Sequence, residues 1–223
     1  MTPLDAPARV LRVALVDDHP LYRDMLSGVL ALEPGLEVVA QCDSLASARA
    51  AIAPGEVDVA ILDADLPDGS GVVLGTALRR ADPRLGILLV SSHDVMEYLI
   101  DLPGDVRQGW GYLSKNSPLS TRQTVVDAIQ AVSRGITALD PDLVRRARPR
   151  VGSPLAQLSA RQLDVLRLVA RGLSNAGVAE QLGISARSVE NHLNLIYAAL
   201  GVPEGGNARV SAVLRFIEDS SRV

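Results

Sequence analysis

Val59-Ala60-Ile61-Leu62-Asp63-Ala64-Asp65-Leu66-Pro67-Asp68-Gly69-Ser70-Gly71 is a short apolar run that ends in a carboxylate and then turns through Asp, Pro and Gly. A handful of apolar residues bounded by turn signals reads as a buried strand of a parallel sheet. Asp63 then stands at the strand's carboxyl end, where open α/β sheets place their ligands. Alone it would mean little, because Asp starts many turns. The flanking chain repeats the arrangement. Leu11 to Val16 ends in Asp17-Asp18, Ile87 to Val90 ends in Ser91-Ser92, and Gly111 to Ser114 ends in Lys115, the one lysine of the chain. Carboxylates, a hydroxyl and an ammonium at successive strand ends make a single site.

Outward from that site, strands alternate with amphipathic segments. Pro20 to Leu32 spaces Leu21, Met25, Val29 and Leu32 as one helical face, and Leu36 to Cys42 reads as a strand. Helices are expected over Leu45–Ile52, Val72–Ala81 and about Leu119–Arg134, with a shorter one over Val95–Leu102 cut by Pro103-Gly104. Five repeats of strand then helix predict an α/β fold, a doubly wound five-stranded parallel sheet covered on both faces.

The chain has 223 residues, enough for two modest domains. No apolar run reaches the roughly 18 residues of a membrane span, and the start has no apolar signal-peptide core, so a cytoplasmic protein with no membrane partner is expected. Cys42, the single cysteine, lies in a strand-like run and reads as a small buried residue. Charge is uneven: residues 1–140 carry 11 basic and 19 acidic groups, 141–154 sum to +3, and 155–223 to +1. An acidic first part and a mildly basic remainder suggest two jobs.

Carboxylates held a few ångströms apart repel unless a cation joins them. Hard oxygen donors on turns suit Mg²⁺, which keeps waters and bridges to phosphate. A carboxylate beside that ion can attack a phosphoryl group and form an acyl phosphate, while Lys115 and the Ser91 hydroxyl contact the phosphoryl oxygens. The bland reading is a structural salt-bridge network of Asp17, Asp18, Asp63 and Lys115, which needs coincidences at several strand ends.

On Asp17-Asp18-His19-Pro20, Leu62-Asp63-x-x-Leu66-Pro67-x-Gly69-x-Gly71, Ser91-Ser92 and Gly111-Tyr112-Leu113-x-Lys115, residues 10–138 resemble the receiver domain of a two-component response regulator, a flavodoxin-like fold. The resemblance implies Asp63 as phospho-acceptor. It implies Asp18, Asp63 and the Asp65 carbonyl as Mg²⁺ ligands, with Asp17 acting through water. Ser91 and Ser92, Lys115 and Tyr112 fall to the phosphate-binding and switch roles, Tyr112 being the aromatic that reorients on activation. Asn116 departs from the proline common after the lysine, and the irregular stretch from His93 to Trp110 departs from the usual fourth helix. Of the histidines, His19 reads as a packing or capping residue, and His93 as a loop residue or one that orients water.

Residues 139–154, with Arg145, Arg146, Arg148 and Arg150, read as an exposed basic linker. From Leu158 the pattern is purely helical. Ser159 caps a helix carrying Leu163, Leu166 and Val169. Ser174-Asn175 starts a short one closed by Gly183, and Ser185 caps a third, Ala186 to Leu200, with Val189, Leu193, Ile196 and Leu200 inward. A fourth covers about Arg209–Ile217. Two short helices joined by a tight turn, the second displaying polar residues outward, make a helix-turn-helix, with a helical dimerisation module as the bland alternative.

Leu158-Ser159-x-Arg161, Gly172-Leu173-Ser174-Asn175-x-x-Val178-Ala179 and Val189-x-x-His192-Leu193-x-x-Ile196 resemble the LuxR-type DNA-binding domain, so about nine-tenths of the chain is similar to NarL/FixJ-type response regulators. The division expected is a receiver at 9–138, a linker at 139–154 and a four-helix DNA-binding domain at 155–223. Ser174, Asn175, Arg187, Ser188, Glu190, Asn191, His192 and Asn194 are the residues expected to meet DNA. Glu190 and Ala199 stand where relatives often carry Lys, which removes phosphate contacts, although Glu190 can accept from a cytosine amino group.

The function that follows is a transcription regulator switched by phosphorylation at Asp63, dimeric when active, and not an enzyme. A sensor histidine kinase and promoter DNA are its expected partners, with RNA polymerase as a further one. A haloacid-dehalogenase-like phosphatase is disfavoured by Pro67 two residues after Asp65. A phosphorylation-independent regulator that uses the receiver as a binding module is the remaining alternative.

Overall fold

The computed structural model describes residues 9–94, 96–118, 121–202 and 207–221. Its elements run β1 (Leu11–Val16), α1 (Pro20–Ala31), β2 (Leu36–Cys42), α2 (Leu45–Ala51), β3 (Val59–Asp63), a small hairpin of β4 (Asp65–Leu66) and β5 (Gly69–Ser70), α3 (Gly71–Ala81), β6 (Gly86–Ser91), α4 (Met96–Ile100), β7 (Trp110–Ser114) and α5 (Arg122–Ser133). There follow β8 (Ala138–Leu139), α6 (Pro141–Arg146), β9 (Arg148–Pro149), a 3₁₀ turn at Pro154–Gln157, α7 (Ala160–Ala170), α8 (Asn175–Leu182), α9 (Ala186–Ala199), α10 (Ala208–Glu218) and β10 (Ser220–Ser221). The expected starts of two receiver helices, at Val95 and at 119–120, lie outside the described residues.

The main sheet has the order β2-β1-β3-β6-β7-β8, and every neighbouring pair is parallel. It therefore has six strands rather than five. The sixth is Ala138–Leu139, paired with Gly111 and Tyr112; two residues are too short to show a strand pattern in sequence. Side chains alternate across the sheet as pleating demands. Val13, Leu15, Ile61 and Leu88 face α1 and α5 through Leu26, Leu30, Ile129 and Val132. Ala14, Val16, Leu62 and Leu89 face the other way, toward Ala48, Leu74 and Leu99.

The stripe of α1 differs from the expected one. Leu26 and Leu30 are buried, whereas Leu21 is 86%, Met25 55% and Leu32 69% exposed. Two apolar rows run along this helix, one residue apart, and the docking angle after Pro20 selects between them. Among the described residues the fourth helix covers five, Met96–Ile100. The irregular stretch beyond it is held by core contacts of Leu102, Val106 and Trp110, whose indole donates to the Val106 carbonyl at 2.7 Å.

The stretch expected as an exposed linker is built into the fold. Leu139, Asp140, Val144 and Ala147 are buried. Leu139, Val144 and Ala147 lie in one continuous apolar core that runs from the α3 and α4 side of the sheet through Tyr112 into Leu166, Val169, Val213 and Phe216. β9 pairs antiparallel with β10, so the connecting segment is clasped to the C-terminal residues. Docking of this segment beside Tyr112 and Phe216 depends on residues far away in the chain, and its local pattern of prolines and arginines carries no sign of it.

Candidate phosphoryl-transfer site and DNA-binding face

The strand order reverses direction between β1 and β3, and the crevice of an open α/β sheet opens at such a point. Asp17 and Asp18 follow β1, Asp63 ends β3, Ser91 ends β6 and Lys115 follows β7. Lys115 Nζ lies 2.7 Å from Asp63 Oδ2 and 2.6 Å from Asp17 Oδ2. The Asp17 contact is an ion pair too poorly aligned for a hydrogen bond, and Asp17 Oδ2 has no hydrogen-bond partner. Burial and the neighbouring Asp17 charge push the Asp63 carboxyl above the usual range, against the pull of Lys115. Burial draws the Lys115 ammonium down, but the two adjacent carboxylates of Asp17 and Asp63 more than offset it, leaving it above an ordinary lysine.

Asp17, Asp18, His19 and Asp63 bring their ligand atoms within 4.8 Å of one another. The Asp65 carboxylate is outside this group: its side chain is 74% exposed and faces His93 Nδ1 at 3.8 Å. His19 Nδ1 is 2.7 Å from Asp18 Oδ1 and its amide donates to Asp17 Oδ1 at 2.9 Å, so His19 closes the loop after the acidic pair. Gly71 is required here: a Cβ on it would fall 1.9 Å from the Asp63 carbonyl oxygen. Asp68 accepts from the amides of Leu45 and Ala46 at 2.8 and 2.9 Å, tying the turn behind Asp63 to the start of α2. Those two bonds hold its carboxyl below the usual range.

Ser91 is fully buried and its Oγ accepts from the His93 amide at 3.0 Å. Ser92 is exposed, and its carbonyl takes the Asn116 amide at 3.1 Å. Tyr112 is already inward: it is 2% exposed, donates to the His93 carbonyl at 2.9 Å, and burial pushes its phenol up to about 12. Tyr22 was not anticipated. Its ring lies under Lys115, with Nζ 4.7 Å from the centroid, a cation–π contact made by an aromatic in the first turn of α1.

In the helical half, Ser159 forms a capping box with Gln162. Gly183, with φ of 63°, supplies the left-handed turn between α8 and α9. Val189, Leu193, Ile196 and Leu200 are buried as expected. Arg187, Glu190, Asn191 and Asn194 are exposed on the opposite side of α9, joined by Leu195, while Ser188 and His192 are half-buried. The hydroxyls of Ser174 and Ser188 are engaged locally: Ser174 Oγ accepts from Gly177 N, and Ser188 Oγ lies 2.8 Å from Ser185 Oγ.

A six-stranded parallel sheet with an acidic pocket at its strand ends, joined to a helix-turn-helix, defines a class of proteins that couple a chemical signal to DNA. Residues 13–133 match the family model of the response regulator receiver domain, and residues 156–212 that of bacterial regulatory proteins, luxR family. The chain is 33% identical over 219 residues to the nitrate/nitrite response regulator protein NarP of Escherichia coli (strain K12), covering 95% of this chain and 96% of that one. It is 31% identical over 214 residues to the probable transcriptional regulatory protein NarL of Mycobacterium tuberculosis, covering 94% and 96%. A solved structure of two RcsB dimers bound to two parallel DNAs matches with a TM-score of 0.50 and 20% identity over 94% of this chain and 98% of that one, a likeness of fold alone. The chain belongs to the two-component response regulators of the NarL/FixJ type, and it is a DNA-binding member of them.

Proposed function

We propose that Asp63 accepts a phosphoryl group from a sensor histidine kinase and that the modified protein binds promoter DNA as a dimer. The observation that carries this is Lys115 Nζ held between Asp63 and Asp17 at the ends of separate parallel strands. In the transfer, a bond forms from an Asp63 carboxylate oxygen to phosphorus while the donor's bond to phosphorus breaks. Lys115 gives up its contact with Asp63 and takes a phosphoryl oxygen instead. Ser91, whose Oγ accepts from the His93 amide, would donate to the same group.

The residues fit Mg²⁺. The donors are hard carboxylate oxygens, and Asp17 Oδ2 and Asp18 Oδ1 are buried without hydrogen-bond partners. Asp18, Asp63 and the Asp65 carbonyl would hold it, with Asp17 acting through water. When bound, it neutralises the charge that gathers between carboxylates and phosphoryl oxygens. The chain acts as a phosphoryl-accepting regulator rather than an enzyme, in the cytoplasm, with RNA polymerase as a downstream partner. No helix of the described residues is long and apolar enough to cross a membrane.

Incubation with acetyl phosphate and Mg²⁺ should raise the intact mass by one phosphoryl group, and Asp63→Asn should abolish the gain because an amide is no nucleophile. A phosphorylated Asp63→Asn protein sinks the assignment. The phosphorylation-independent reading draws support from the irregular stretch after α4 and from the continuous core between the halves. An unmodified wild-type protein under these conditions, still bound to DNA, would favour it.

A further inference from the structure

We infer that Arg209, far from the helix-turn-helix in sequence, is a positioning residue for DNA binding that fixes which way the Asn175 amide faces. The inference rests on the reading of α8 and α9 as the DNA-binding face. Arg209 lies in the first turn of α10, and its guanidinium reaches back to the turn that opens α8. One terminal nitrogen donates to Asn175 Oδ1 at 3.1 Å and the other to the Leu173 carbonyl.

An arginine only donates. The amide oxygen of Asn175 must therefore point inward to Arg209, which turns the two N–H groups of Nδ2 away from it. Among the described residues no protein acceptor takes Nδ2. Ser174, between the two bonded residues, caps α8 through Gly177 N at 3.2 Å, so the turn is pinned from both sides. Arg209 Nε is buried without a partner, so holding the guanidinium here has a desolvation cost that the two bonds must offset.

The orientation matters because the first helix of a helix-turn-helix crosses the phosphate backbone. An outward oxygen would repel a phosphate, whereas an outward NH₂ adds a donor beside the amides at the start of α8. In a face whose α9 offers Arg187 as its lone cation, one neutral donor is a sizeable share of the phosphate contacts. The fork of Arg209 thus sets the polarity of a contact it never makes.

The test uses the full chain treated with acetyl phosphate and Mg²⁺, and a fluorescein-labelled mixed-sequence duplex titrated by anisotropy across KCl concentrations. Asn175→Asp keeps the acceptor for Arg209, now charge-assisted, but presents no donor outward. Its melting temperature should hold or rise. Its binding should weaken on the order of tenfold near 0.1 M salt, because it loses the donor and adds a like charge facing the phosphate. Asn175→Ala should lose several-fold in affinity with an unchanged slope of log affinity against log salt, because a neutral donor displaces no counterion. Arg209→Lys, whose point ammonium cannot bridge both acceptors, should lose part of that affinity in the wild-type chain and none further in the Asn175→Ala chain; a merely structural residue would lower affinity equally in both. Wild-type protein that binds no duplex overturns the DNA-face reading and the inference with it. Wild-type affinity in both Asn175 variants overturns the inference alone. Lost affinity at Asn175 with a folded Arg209→Lys protein at full affinity removes Arg209 from the role.

Discussion

The carboxylate of Asp140, 1% exposed, accepts the Ser114 amide at 3.2 Å and so joins the strand end that carries Lys115 to the start of α6. The same carboxylate takes the Ser117 hydroxyl at 3.0 Å and caps α6 through the amides of Asp142 and Leu143. One side chain therefore links the lysine loop of the receiver to the segment that leads into the DNA-binding half.

Asp140→Ala should destabilise the protein by about 3 kcal/mol. Loss of a cap costs about 1 kcal/mol, and donors left without a partner in a buried site add roughly 1–3 kcal/mol. Urea denaturation measures this; a change within about 0.5 kcal/mol, as for an ordinary surface site, would refute the linking role.

Gly71→Ala should disturb the phosphoryl site directly. The new Cβ has nowhere to go, with the Asp63 carbonyl oxygen 1.9 Å away. Overpacking of this kind costs about 1–3 kcal/mol, and the strain falls on the residue that carries the nucleophile. Acyl-phosphate formation, followed by intact mass, should slow markedly even where the variant remains folded. Wild-type rates would show that the turn yields without moving Asp63.

At the opposite, amino-terminal end of the central strands, Asp58 pairs with Arg12, its Oδ2 accepting both the backbone amide and Nε. Burial alone would push this carboxyl up, but the Arg12 bonds and charge hold it below the usual range. A depressed folded pKa means the native state holds the proton more weakly than the unfolded chain, so the stabilisation is present above the unfolded value and is lost as pH falls through the folded one. The stability gap between wild type and Asp58→Asn should be constant near neutrality and narrow once pH drops below about 4. A gap independent of pH would remove the ion pair from the account.

The clasp between β9 and β10 sets where the DNA-binding half begins. Arg150 donates its amide to the Asp219 carbonyl at 2.8 Å and its guanidinium to the Glu218 carbonyl. A fragment of residues 147–223 should be more stable than one of residues 151–223 by about 1–2 kcal/mol, the worth of a few hydrogen bonds. Equal urea midpoints would mean that the clasp forms only in the full chain.

Much of the site was legible because its chemistry is written in single residues at strand ends. Asp17, Asp18, Asp63, Ser91 and Lys115 each follow an apolar run, and the parallel sheet gathers such ends at one edge. The buried stripe of α9 was legible for a similar reason: Val189, Leu193 and Ile196 repeat at helical spacing with no competing row. On α1 two rows compete, and only docking on the sheet chose Leu26 and Leu30 over Leu21 and Met25.

The sequence by itself determined the strand-and-helix alternation, the residue types at the strand ends and the helix-turn-helix with its caps, because each depends on neighbours within a turn or a strand. The tertiary structure alone decided the sixth strand, the burial of Leu139 and Val144, the Tyr22 ring beneath Lys115, and the reach of Arg209 to Asn175. Those relationships join residues distant in the chain, and local periodicity carries no information about which distant surfaces will meet.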